Sequence, residues 1–230
     1  MERAVGTVPR PVLALLVIAF CLQVAWQALQ PKPNARAEAL GEPAAAAVLR
    51  TVAMGEPIAL AQFLTLYLQA FDNQPGISIP VASWLEAILA LDPVGQYPLL
   101  MASQLYGQAP DEARQRRMCA FVHEQFGRDP DRRWRWLAHC AIMAKHRLKD
   151  TPLALRYAEA ISREARAASG WARQMHILIR ADLGELEAAT VLLGGLLASG
   201  EVTDPKEAHF LTERLEALKA AGKSSLPSRK

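Results

Sequence analysis

The chain has 230 residues, 51% of them apolar and 21% charged, with 13 Gly and 15 Pro. That is ordinary globular usage and excludes collagen-like, low-complexity and disordered classes. A formal charge of +3 excludes a wholesale nucleic-acid binder, and three cysteines are too few for a disulfide framework or a zinc ribbon.

Residues 1–10 form a short tail carrying Arg3 and Arg10. Pro11 to Leu29 then runs nineteen residues without a charge, which predicts a transmembrane helix, with Trp26 at the interface and Pro31 and Pro33 stopping the helix beyond it. The rival expectation is a cleaved signal peptide, with Ala35-Arg36-Ala37 as the small-residue site and a secreted binding protein as the product. Lys and Arg are nearly balanced across the span. A short tail with no long acidic stretch to carry outward favours the tail inside and the bulk of the chain outside, which in a bacterium is the periplasmic side of the inner membrane.

Residues 30–43 hold three Pro and one Gly and predict an extended linker. From there on no segment alternates over strand length, so the soluble part, 44–221, is expected to be all-α. Ten helices are predicted, near 44–54, 57–71, 80–91, 97–108, 111–126, 131–148, 151–167, 170–183, 185–199 and 204–221, with a polar tail at 222–230. Asp92-Pro93, Asp129-Pro130 and Asp204-Pro205, with Asp150-Thr-Pro152 as a near variant, mark joints where Asp caps a helix and Pro ends the previous one. Their spacing of 37 and then 75 residues is that of stacked helix pairs.

One stretch is more specific. Ala154 in KDTPLALRYAEAI and Ala188 in GELEAATVLLGGL each follow a polar turn, 34 residues apart, with Ala158 matched by Leu192 and Ile161 by Gly195. Here the chain resembles tetratricopeptide repeats, best over 134–200 and loosely over 80–133. It departs from them where Ala138 and Ala141 stand in place of first-helix landmarks. The resemblance implies an α-solenoid of about five hairpins and protein binding or complex assembly. The chain as a whole also resembles membrane-anchored repeat proteins of proteobacteria.

Within the predicted helices, Trp134, Leu137, Ala138, Ala141, Ala144 and Leu148 form one stripe, and Met118, Phe121, Val122 and Phe126 another. Trp136 points away from its stripe, toward a neighbouring repeat or a partner. Residues 111–149 hold ten Lys or Arg against five acids, a basic flank that nominates Arg132, Arg133, Arg135 and Trp136 for partner contact. Cys119 and His123 on one helix, with His139, Cys140, Met143 and His146 on the next, give the alternative of a metal- or redox-responsive hairpin, or a Cys119–Cys140 disulfide. No nucleotide loop, metalloprotease or hydrolase motif occurs, so neither catalysis, cofactor, nucleic acid nor small-molecule substrate is expected. The expected function is a membrane-tethered adaptor that binds another protein.

Overall fold

The computed structural model describes residues 10–29, 40–72, 80–108 and 110–225. Among them every regular element is helical and there is no strand, as the lack of alternation requires. The predicted linker, 30–43, lies mostly outside the described residues, as do the two termini.

Helix α1, Arg10–Leu29, belongs to one unit, and residues 41–69 with 80–225 belong to another. The predicted span is therefore a helix, and its described side chains, Pro11–Trp26, are exposed. No single helix among the described residues is long and apolar enough to cross a membrane.

In the second unit, α2 (Ala46–Val52) and residues 57–69 of α3 (Pro57–Asp72) are followed by α4 (Val81–Leu91) and α5 (Tyr97–Leu100). Helix α5 runs on through a π turn, Met101–Leu105, and a 3-10 turn, Tyr106–Gln108, where the sequence suggested one plain helix. The loosened stretch has a local cause. Ser103 is buried and its hydroxyl turns back on the Leu99 carbonyl at 2.8 Å, while Gly107 lets Met143 approach so closely that a Cβ there would lie 3.1 Å from its Cε atom.

Six helices complete the unit: α6 (Glu112–Phe126), α7 (Pro130–His146), α8 (Thr151–Glu164), α9 (Gly170–Asp182), α10 (Leu186–Ala198) and α11 (Pro205–Ser225). Each packs on the next in sequence. The predicted stripes are buried except at Leu148, which lies beyond the end of α7 and is half-buried: Leu137, Ala138, Ala141 and Ala144 of α7, Val122 and Phe126 of α6, and Ala154, Ala158 and Ile161 of α8 are all interior, and α7 packs on both neighbours. Farther along, Ile177, Ala181, Ala189, Leu193, Leu211 and Leu218 form a second cluster.

The joints behave unequally. Asp150 accepts from the Leu153 amide at 2.9 Å and Asp204 from the Lys206 amide at 2.9 Å, which are capping bonds. Asp129 instead pairs with Arg132 at 3.2 Å. Between Asp129 and Asp204 the missing joint is Ser169, at the start of α9.

The repeat register needs one correction. Ala154 is buried, but its expected counterpart Ala188 is exposed, and Ala189 is the residue packed inside. The residues at the N-caps are Asp150 and Glu185, 35 apart, because Gly184 closes α9 at a positive φ of 83° and is not the start of α10. In this register Ala158 matches Leu193, and Ile161 matches Leu196.

Candidate binding cleft

The basic run is largely matched within the chain. Arg116 binds Glu112 and Asp150, Arg128 binds Glu86 and Glu124, and Lys145 binds Asp182. Arg114 lies over the Tyr106 ring and Arg147 donates to the Gln108 carbonyl. Asp150, held by the Arg116 guanidinium and the Leu153 amide, has its pKa pulled below the usual carboxylate value.

The four nominated residues part company. Arg132 is exposed beside Asp129, and Arg135 is exposed with its guanidinium 5.5 Å from the centre of the Trp134 ring. Arg133 is only 4% exposed. It donates to the Gln125 carbonyl at 2.6 Å and to the Pro93 carbonyl at 2.8 Å, so it is a clamp between the α6–α7 hairpin and the turn after α4. Trp136 is half-buried and its indole N–H donates to Gln96 Oε1 at 2.8 Å. Arg133 and Trp136 thus meet at one place, the 92–98 turn, and hold it from behind. Arg133 stands out as the correction: it is turned inward by those bonds, and no outside partner reaches its guanidinium.

On the other side of that turn lies a cleft of about 400 Å³, walled by α3 and by the end of α4. Ala61, Leu66, Ile88 and Pro98 give it apolar surface, while Gln62, Gln69, Gln96, Asp92 and Tyr97 give it amides, one carboxylate and a phenol. The turn is well fixed. Asp92 accepts from the Gly95 amide at 3.0 Å, and Gln69 donates to the Tyr97 hydroxyl at 2.7 Å, which leaves that hydroxyl's own proton to donate elsewhere. A Cβ at position 95 would fall 2.7 Å from the Asp92 carboxylate, so Gly95 is what lets the turn close.

Paired donor and acceptor amides beside an apolar wall suit the main chain and one or two side chains of an extended polypeptide. The sequence reading missed this cleft. Its lining comes from three segments, 61–69, 88–92 and 95–98, and only Gln96 touches a residue that the basic flank singled out.

The alternative hairpin site does not assemble as a metal set. Cys119 and Cys140 are buried free thiols that neighbour one another across α6 and α7 without a disulfide, and burial pushes the Cys140 thiol pKa up. His123 instead faces the Tyr157 ring, with centroids 5.1 Å apart, and His139 bonds to the Ser103 backbone. Burial lowers the pKa of both imidazoles. Among the described residues no three His, Cys, Asp or Glu groups converge as a metal site would need. Compared with family models, with curated proteins and with solved structures, the chain finds no match in any of the three.

Proposed function

We propose that this chain is a membrane-tethered helical-repeat adaptor of the tetratricopeptide type, whose cleft between α3 and the 92–98 turn takes an extended segment of another protein and holds it at the membrane. The observation that carries the reading is the cleft itself, with apolar floor, amide walls and a turn pinned from behind by Arg133 and Trp136. Consecutive helices that pack in series support the repeat reading. The uncharged run 11–29 supports the tether, which would raise the effective concentration of the partner at the bilayer. Binding is proposed and catalysis is not.

The test is photocrosslinking from the cleft. A photoreactive amino acid replaces Gln62 in the full-length chain, expressed in a bacterium, and the adducts are identified after solubilising the membranes. Adducts that appear at position 62, fall away in Tyr97→Ala, and are missing from a probe at the exposed Glu187 support the reading. Equal labelling from positions 62 and 187, or none from 62, would overturn it.

A further inference from the structure

Helix α3 is mostly apolar, with Gln62, Thr65 and Gln69 on its cleft side. From Pro57 to Phe71 it carries no charged residue. Ala61, Leu64, Thr65 and Leu68 face the interior, yet Ile58, Ala59 and Phe63 face outward and are exposed. A run of large apolar side chains left exposed is normally covered, by protein or by lipid. Among the described residues these side chains stay exposed.

Three further observations bear on what would cover it. First, the turn between α2 and α3 sets Met54 in the left-handed region, at φ 47°, with 90% of its surface exposed. A non-glycine residue in that conformation is costly, and here it aims a large apolar side chain at solvent from the tip of a hairpin. Second, the polar groups of the hairpin are turned inward or satisfied locally. The Thr51 and Thr65 hydroxyls bond back to the Ala47 and Ala61 carbonyls at 3.0 and 2.8 Å, and the α2 cation, Arg50, donates to the Ala90 carbonyl of α4. Third, α2 and α3 together have the length and composition of a membrane segment bent by 110°.

A protein interface usually has a polar rim around its apolar centre, whereas hydrocarbon asks for none. From Met54 to Phe63 the exposed polar side chains are Glu56 and Gln62 alone. Sixteen residues, 30–45, separate α2 from α1, a tether of at most about 55 Å when extended. We propose that the α2–α3 hairpin docks on the bilayer, with Met54, Ile58 and Phe63 entering the acyl boundary. The occupant is a lipid surface, and with so little charge on the face, binding does not require anionic headgroups. This rests on the anchored reading only for delivery of the hairpin to the membrane.

The test uses the full chain reconstituted into phosphatidylcholine vesicles, with an environment-sensitive fluorophore on one cysteine at a time and spin-labelled lipid as quencher. Cys119 and Cys140 are buried and do not compete for label. Met54→Cys and Phe63→Cys, each combined with Cys21→Ser, report on the hairpin. Glu187→Cys in the same background is the aqueous control, and the native Cys21 reports on the anchor. Hairpin probes quenched several-fold more than the control, and equally so with one third phosphatidylglycerol, are the expected result. Hairpin probes no more quenched than the control overturn docking. If Cys21 is then quenched, the anchor stands and only the hairpin proposal falls; if it is not, both fall. Oxidative crosslinking of Met54→Cys between copies without lipid quenching also overturns docking, in favour of self-association.

Discussion

Arg133 offers the sharpest check on the description of the cleft. It is buried with no carboxylate in contact, and its charge is met by two carbonyls, Gln125 at 2.6 Å and Pro93 at 2.8 Å, with a longer bond of 3.3 Å to the Gln125 side chain. Hydrogen bonds from a charged donor contribute roughly 1.5–3 kcal/mol each. Relief of guanidinium desolvation, the burial that lowers its pKa, offsets part of that loss. The Gln125 carbonyl keeps a second partner in the Arg128 amide, while the Pro93 carbonyl loses the bond that fixes it. Arg133→Ala should therefore cost about 3 kcal/mol, which for a domain of this size is a fall in Tm of about 6–12 °C. Arg133→Met, which fills the space without the charge, should cost clearly less. Arg135→Ala, on the exposed side of the same helix, should cost under about 0.5 kcal/mol. Circular dichroism at 222 nm on the full chain in detergent measures all three. Equal Tm values for Arg133→Ala and Arg135→Ala would refute the clamp.

The repeat register makes its own test: Ala189→Leu should overpack the α9–α11 interior and cost about 1–3 kcal/mol, while Ala188→Leu should be nearly neutral, and thermal melts separate the two. The buried thiols should resist a maleimide in the native chain and react once guanidinium is added, with intact mass as the readout; native labelling of Cys119 or Cys140 would contradict their burial. His123, His139 and His176 all have pKa values lowered by burial, so the folded state binds fewer protons than the unfolded state below pH about 6.5. Their contribution is complete above that pH and is lost as pH falls toward the folded values. Tm should decline from pH 7 to 5, and His139→Gln should flatten part of the slope.

Much of this was legible in the sequence because it depends on local rules. Capping at Asp150 and Asp204 and the stripe through Leu137, Ala141 and Ala144 follow from helix period and backbone donors, and both are found where the pattern places them. What was missed depends on contacts between distant segments. Arg133 looked like one more cation of a basic flank, although its spacing to Leu137, Cys140 and Ala144, steps of four, three and four, puts it on the buried side. The carbonyls of Gln125 and of Pro93, the latter 40 residues away, make that position tolerable for a charge. The register slip at Ala188 has a similar origin, since the sequence does not say whether Gly184 ends one helix or begins the next, and the positive φ decides it.

The same distinction bears on where recognition resides. A run of ten cations against five acids suggests an electrostatic surface when read along the chain, but in the folded state Glu86, Asp150 and Asp182 reach in from other helices to meet it. Charge counted by segment overstates charge presented to a partner, because half-exposed pairs neutralise one another's far field even where each adds little to stability. Apolar surface is not neutralised in that way. Met54, Ile58 and Phe63 are exposed among the described residues, and their free energy falls when something removes them from water. Recognition in this chain should accordingly depend weakly on salt. Partner capture that collapses between 50 and 300 mM NaCl would return the interface to Arg132 and Arg135.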